Sequence, residues 1–220
     1  MTSTKRIFLI HATPVAIEPI NAAFARLWPE AELCNLLEDS LSRDLRSAGR
    51  LTDALKQRFC DLARYARSAG ADAVLFTCSA FSEAIELSRQ QLDIPVLKPN
   101  EAMIEQALAL GGRIGILATF EPSIESMSAE FRQVAQAQGL PLQLVAAASA
   151  DAYQALHAGD VQRHDHLVAQ LAGQLVDCDV VCFSQFSMTS AAPGAREVSG
   201  REVLTTPDSA VLLLRRLLDG

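Results

Sequence analysis

One cysteine of this chain has the surroundings of a reactive group. Cys78 follows the apolar run Ala73–Phe76 and precedes a helix that is predicted to begin at about Ser82. Free backbone N–H groups at the start of a helix favour negative charge, either a thiolate or a bound carboxylate. Because Thr77, Ser79 and Ser82 add hydroxyl donors, we predict that this turn binds a carboxylate while Cys78 exchanges a proton at the neighbouring carbon. A buried structural thiol is the alternative.

A histidine is the candidate for a second titrating group. His11 ends the first strand-like run, Ile7–Ile10, and an imidazole exchanges protons near neutral pH. A loop histidine that only accepts or donates hydrogen bonds is the alternative. His164 and His166 are two residues apart on a predicted helix, where they do not share a face, so we expect an exposed helix start and no metal site there.

The elements that must position these residues alternate along the chain. Continuous apolar runs, such as Ala73–Phe76, are separated by amphipathic stripes, one of them predicted from a cap at Thr52 to a stop at Gly70. Apolar strands between helices are typical of a parallel sheet that is covered on both faces. The sequence therefore predicts the α/β class.

The same order of elements occurs twice at one offset, 113 − 6 = 107 residues. The offset relates three pairs of segments: Arg6-Ile7 with Arg113-Ile114, Asp72–Thr77 with Asp179–Ser184, and Val96-Leu97 with Val203-Leu204. Matches in one register argue for an internal duplication. We therefore predict two pseudo-symmetric, flavodoxin-like parallel-sheet halves. Since ligands bind beyond the carboxyl ends of such strands, the active site is expected between the halves.

The duplication also selects candidate residues in the second half. Gln185 is equivalent to Cys78, and Thr119 follows the strand equivalent to the first. Gln185 and Ser187 are predicted to hold a substrate carboxylate or amide by hydrogen bonds. Thr119 either binds the carboxylate or only caps the next helix. Cys182 is an alternative thiol, but its position inside a strand favours core packing.

Composition narrows the class of protein further. The chain has 220 residues, half of them apolar, and a formal net charge of −7. The acidic net charge does not suggest nucleic-acid binding, which would need a clustered basic surface. No apolar stretch approaches the roughly 20 residues of a membrane span. The first apolar run is too short for a signal peptide, and five unpaired cysteines indicate reduced thiols. We expect a cytoplasmic enzyme with no nucleic-acid or membrane partner.

The residues 71–79, together with the length and the two-half layout, resemble the aspartate/glutamate/hydantoin racemase superfamily. Arylmalonate decarboxylase and maleate isomerase are among its members. The resemblance implies proton transfer without a cofactor or metal, at the carbon next to the carboxylate of a small substrate such as an amino acid. Cys78 falls on the first motif cysteine. The resemblance also implies a possible homodimer and a final helix that returns to the first half, so the halves are 1–98 with 208–220, and 99–207.

The chain departs from the family pattern at the second motif. Gln185 stands where a second cysteine is usual, and Ser79 replaces an asparagine. Besides a racemase-type isomerase, a decarboxylase or cis-trans isomerase of a small dicarboxylate that uses one cysteine is therefore chemically reasonable. Two further alternatives are an enzyme in which Cys78 acts as a nucleophile with His11, and a small-anion binding protein without turnover.

Overall fold

The computed structural model describes residues 4–219 of the chain. It contains two four-stranded sheets in which every strand pairing is parallel. Two compact units are present: the first takes the chain up to Glu101 and again from Ala210, and the second is Ala102–Ser209. The prediction of an α/β fold with two parallel sheets is confirmed.

The sheet of the first unit has the strand order β2-β1-β3-β4. Its strands are β1 (Arg6–His11), β2 (Glu32–Leu37), β3 (Ala73–Phe76) and β4 (Val96–Leu97). The helices of this unit are α1 (Ile17–Leu27), α2 (Ser40–Ala48), α3 (Asp53–Ser68) and α4 (Ser82–Gln91), with single 3-10 turns at Pro14–Ala16 and Ser79–Phe81.

The second unit repeats this order as β6-β5-β7-β8. Its strands are β5 (Arg113–Ala118), β6 (Gln143–Ala148), β7 (Val180–Phe183) and β8 (Glu202–Leu204). The helices that follow in the chain are α5 (Glu101–Leu110), α6 (Pro122–Gln138), α7 (Ala150–His157), α8 (Val161–Ala172), α9 (Ala192–Ser199) and α10 (Thr206–Asp219), with 3-10 turns at Gly173–Leu175 and Phe186–Ala191. Most of α10 lies in the first unit, where Arg215 Nη1 donates to the carbonyl oxygen of Leu27 at 2.9 Å.

The strand registers of the two units match at the offset found in the sequence. Ile7 pairs with Ala73 in the first unit, and Ile114 pairs with Val180 in the second. One carboxylate bond is repeated as well: Asp72 Oδ2 accepts from the backbone nitrogen of Arg6 at 2.7 Å, and Asp179 Oδ2 accepts from that of Arg113 at 2.8 Å. The Asp179 side chain approaches Gly111 so closely that an added Cβ would lie 2.3 Å from its carboxylate, which explains a glycine in this turn.

Successive residues of a strand point to opposite faces of the sheet, where they pack against helices. In β7, Val181 and Phe183 pack with α8 and α9, whereas Val180 and Cys182 pack with α5 and α6. In the first unit, Phe76 of β3 stacks on Phe59 of α3 with ring centroids 5.2 Å apart. These strands are apolar along their whole length because neither face meets water.

Helix boundaries follow the predicted signals where caps are present. The Thr52 side chain accepts from the backbone nitrogen of Leu55 at the start of α3, and Gly70 follows the helix with a φ of 84°. That positive φ suits glycine. Within residues 4–219, no helix is both long and apolar enough to cross a membrane.

Candidate active site

Cys78 lies two residues after the carboxyl end of β3. Its backbone is extended, with φ −129° and ψ 115°, and it precedes the 3-10 turn Ser79–Phe81 that leads into α4. The turn is anchored by Phe81, which is fully buried and stacks on Phe59 with ring centroids 4.4 Å apart. The loop that carries the thiol is therefore fixed to the core of the first unit.

The Cys78 thiol is half-buried, and burial raises its pKa above the ordinary value of 9.0. A hydrogen bond from the backbone N–H of Ala80 lowers the pKa, but burial is the larger effect. From the sequence we expected the helix start to favour either a thiolate or a bound carboxylate. The structure instead favours the protonated thiol at neutral pH, which can donate a proton.

The three hydroxyl groups near Cys78 have different surroundings. Thr77 Oγ1 is buried, 2.9 Å from His11 Nδ1 and 3.4 Å from the carbonyl oxygen of Ile10. Ser82 Oγ donates to the carbonyl oxygen of Ser79 at 2.8 Å. The half-buried Ser79 hydroxyl has no protein partner within residues 4–219, so it is the one most available to a ligand.

His11 is completely buried, and both of its ring nitrogens have partners in the first unit. Nδ1 lies 2.9 Å from Thr77 Oγ1, and Nε2 lies 2.9 Å from Asn35 Oδ1. Burial lowers the pKa of His11 below 6.5, and the bond to Asn35 offsets part of that effect. The imidazole is therefore neutral at pH 7. With Nε2–H donating to Asn35, Nδ1 can accept from the Thr77 hydroxyl.

Two asparagines complete this chain of polar groups and were not found from the sequence. Asn35 lies on the edge strand β2, and its Nδ2 donates to Asn21 Oδ1 of α1 at 3.2 Å. A polar residue in the middle of the otherwise apolar segment 33–37 was the available signal. Without the register that pairs His11 with the end of β2, nothing in the sequence connected it to the imidazole.

In the second unit, the side-chain oxygen of Gln185 is held by three donors. Oε1 accepts from the backbone nitrogen of Thr119 at 2.8 Å, from the Thr119 hydroxyl at 3.0 Å and from the backbone nitrogen of Phe120 at 3.0 Å. Backbone N–H groups only donate, so the amide oxygen must face them. We call these three groups the donor cradle. Thr119 and Gln185, both predicted ligand-binding residues, are thus in direct contact.

The neighbouring hydroxyl groups of the second unit divide in the same way as those of the first. Ser184, equivalent to Thr77, lies with its Oγ 2.8 Å from Ser123 Oγ. Thr189, equivalent to Ser82, donates to the carbonyl oxygen of Phe186 at 2.7 Å. The half-buried Ser187 hydroxyl has no hydrogen-bond partner in the described part of the chain and remains available to a ligand.

The remaining cysteines lie in different surroundings from Cys78. Cys60, Cys178 and Cys182 are buried, and burial among apolar residues raises the pKa of Cys182 strongly. Cys34 is half-buried on β2. His164 was expected at an exposed helix start, but it is completely buried near the start of α8, with Nδ1 2.7 Å from its neighbour's carboxylate. The described residues hold no group of three or more His, Cys, Asp or Glu side chains that could bind a metal ion.

The fold and these loops define a class: an α/β protein of two duplicated parallel-sheet units, with a thiol in a polar loop at the carboxyl end of a strand. The family model described as Asp/Glu/hydantoin racemase matches residues 15–214. The chain belongs to this family, as the resemblance in the sequence predicted. The chain is therefore an enzyme of a family that is named for racemisation, which is a kind of isomerisation.

Solved structures share the fold across the chain. An aspartate racemase homologue from Pyrococcus horikoshii OT3 superposes with a TM-score of 0.76 at 14% identity, covering 99% of this chain and 100% of that one. Allantoin racemase from Klebsiella pneumoniae gives 0.68 at 16% identity, with 98% and 88% covered. Unliganded arylmalonate decarboxylase gives 0.66 at 17% identity, with 99% and 94% covered. No curated protein matches the chain significantly.

Proposed function

We propose that this protein is a cofactor-independent, racemase-type enzyme in which Cys78 transfers a proton at the carbon next to a substrate carboxylate. The observation that carries the proposal is the half-buried Cys78 thiol at the carboxyl end of β3 in a member of the racemase family. The substrate is a small carboxylic acid, either an amino acid or a related compound.

The choice of thiol rests on access and surroundings. Three of the five cysteines are buried, which leaves Cys34 and Cys78. Cys34 lies on a strand, whereas Cys78 precedes a turn with a free hydroxyl at Ser79. A proton donor needs such neighbours, because donors must stabilise the charge that develops on the substrate carboxylate.

The protonation step needs only one thiol. In racemisation a base first removes the α-proton, and in decarboxylation carbon dioxide leaves. The resulting carbanion, or the enolate in which its charge is shared with the carboxylate, then takes the proton from Cys78 Sγ, so that a C–H bond forms, the S–H bond breaks and the sulfur becomes a thiolate. Water then returns a proton to the sulfur. The raised pKa of Cys78 supports this direction, because the thiol holds its proton at neutral pH until a basic carbon is presented.

Two groups of the second unit are candidates to bind a carboxylate in addition to the Cys78 turn: the amide nitrogen of Gln185 and the half-buried Ser187 hydroxyl. The donor cradle fixes the orientation of the Gln185 amide, because its two N–H groups and one hydroxyl all donate to Oε1. Within residues 4–219, the amide nitrogen of Gln185 has no hydrogen-bond partner, so it can donate to a ligand carboxylate. That both loops serve one substrate stays a prediction of the sequence duplication.

A decarboxylase or cis-trans isomerase that uses one cysteine is the second candidate. Gln185, which holds the position equivalent to Cys78, has an amide that neither gives nor takes a proton near neutral pH. Racemisation needs a second group to remove the α-proton, and the predicted one, His11, has both nitrogens engaged with Thr77 and Asn35. Unless one of these bonds is exchanged for a bond to substrate, His11 acts by positioning Thr77 beside Cys78.

The reaction class can be tested with a panel of single-enantiomer amino acids, hydantoins, substituted malonates and maleate, incubated with the protein in deuterated water. Chiral chromatography and mass spectrometry would identify the products. Racemised product supports the leading proposal. Loss of carbon dioxide with deuterium on one face, or cis-trans isomerisation of maleate, supports the second candidate. Binding without any product from any compound would contradict both and favour an anion-binding protein.

A further inference from the structure

Three aromatic side chains form a solvent-facing surface beside the donor cradle. Phe120 and Tyr153 have ring centroids 5.8 Å apart, and those of Tyr153 and His157 are 4.2 Å apart. Phe120 follows β5, and the other two lie on α7, which follows β6. We call Phe120, Tyr153 and His157 the aromatic surface.

The exposure of Phe120 is unusual for this chain. Of its nine phenylalanines, seven are buried, Phe186 is half-buried and Phe120 is 47% exposed. Tyr153 is 36% exposed. Aromatic rings normally contribute to stability by leaving water, so an exposed, paired set indicates a binding role.

The backbone of Phe120 is held on both sides. Its N–H donates to Gln185 Oε1 at 3.0 Å, and its carbonyl oxygen accepts from Ser123 Oγ at 2.7 Å and from the backbone nitrogen of Ser123 at 3.0 Å. The ring therefore projects from a residue that also forms part of the cradle. The cradle donors are already filled by Gln185 Oε1, so a ligand carboxylate would accept from the Gln185 amide nitrogen and have this ring, fixed before the ligand arrives, as a neighbour.

We propose that the aromatic surface binds an aryl or large apolar substituent of the substrate, which makes Phe120 and Tyr153 specificity-determining residues. The inference deepens the proposed function and rests on it, because it takes the ligand to be a carboxylic acid. Offset or tilted stacking is the expected contact, since the two protein rings already lie at an interplanar angle of 31°.

A protein partner is a weaker explanation of the same surface. Two rings and one imidazole are far smaller than the roughly 1,200–2,000 Å² that a stable protein interface buries. The adjacent helix residues Asp151 and Gln154 are exposed and polar, so the apolar area does not extend along α7. Its size suits one ring of a small molecule.

The test compares the binding of phenylacetate and acetate by NMR titration to the wild type, Phe120→Ala, Tyr153→Ala and Tyr65→Ala. Tyr65 is the matched control, because it is a 57% exposed tyrosine on α3 of the other unit. Melting temperatures would verify that each variant is folded. We expect the wild type to bind phenylacetate about tenfold more tightly than acetate, and Phe120→Ala and Tyr153→Ala to lose most of that preference. Acetate binding and Tyr65→Ala should show no comparable change.

Several outcomes would overturn the inference. The first is that the wild type shows no preference for phenylacetate, which includes the case in which it binds neither acid. The second is that the preference for phenylacetate survives both Phe120→Ala and Tyr153→Ala. A self-association that both variants abolish while the preference persists would assign the surface to a second copy of the chain. The readout is binding and not turnover. A lost preference in the variants, with no proton transfer in the wild type, would therefore refute the proposed function and leave the aromatic surface in place.

Discussion

The side-chain oxygen of Gln185 lies 2.8 Å from the backbone nitrogen of Thr119 and 3.0 Å from the Thr119 hydroxyl. Gln185 occupies the position equivalent to Cys78 in the duplicated chain. The amide fills a set of donors that would otherwise need water or a ligand. At equivalent positions of the duplicated chain, the second unit thus has an amide that forms hydrogen bonds and the first unit has a thiol.

Replacing Gln185 with methionine should destabilise the second unit. Methionine has a similar shape but no strong acceptor, so the donors of Thr119, which is 3% exposed, lose their partner. An unsatisfied buried donor costs about 1–3 kcal/mol, which urea unfolding can resolve. Gln185→Glu keeps an acceptor and should remain near the wild-type free energy of unfolding, as should the exposed control Gln154→Met. Equal stability of Gln185→Met and the wild type would contradict the importance of the cradle contacts.

Alkylation of Cys78 by iodoacetamide should need alkaline pH. Only the thiolate reacts, and burial raises the pKa of this thiol above 9.0, so the rate should still increase beyond pH 9. Mass spectrometry would follow the modified peptide. The raised pKa of Cys78 also means that the thiol stabilises the folded protein below pH 9, and that this contribution disappears as the pH rises through the pKa of Cys78 in the folded protein. A rate that reaches its plateau below pH 8 would indicate a stabilised thiolate and favour the nucleophilic mechanism.

His11 should make the protein less stable at acidic pH. Because burial lowers its pKa below 6.5, the unfolded chain binds a proton more readily than the folded one. The contribution of His11 is present above pH 6.5 and is lost as the pH falls toward the folded pKa. We expect His11→Gln to reduce the loss of unfolding free energy between pH 7.5 and pH 5.5, measured in urea. An unchanged slope for His11→Gln would place the titration elsewhere.

The sequence was sufficient for the central strands of both sheets. β1, β3, β5 and β7 are continuous apolar runs, and their equivalence at one offset revealed the duplication. The edge strands β2 and β6 are partly exposed on both faces, which blurs their pattern. The offset also fails there, because Gln143 lies 30 residues after Arg113 whereas Glu32 lies 26 after Arg6.

The candidate site could be predicted less completely than the fold. The local sequence placed Cys78, Ser79 and Gln185 in loops that follow buried strands, and the structure has them there, since such loop residues are read directly from the strand ends. The environment of the thiol was harder, because burial outweighs the helix start in setting its pKa. Contacts between elements distant in the chain, such as that of His11 with Asn35, need the strand register.

The most direct test of the central claim is α-hydrogen exchange in deuterated water, followed by mass spectrometry for each acid of the panel. The comparison is between the wild type, Cys78→Ala and Cys34→Ala, which removes the other half-buried thiol. We predict that Cys78→Ala lowers the rate of deuterium incorporation by about 10²–10⁴-fold, as expected for removal of a general acid or base. Cys34→Ala should exchange at the wild-type rate. Exchange that continues at the wild-type rate in folded Cys78→Ala would contradict proton transfer by Cys78.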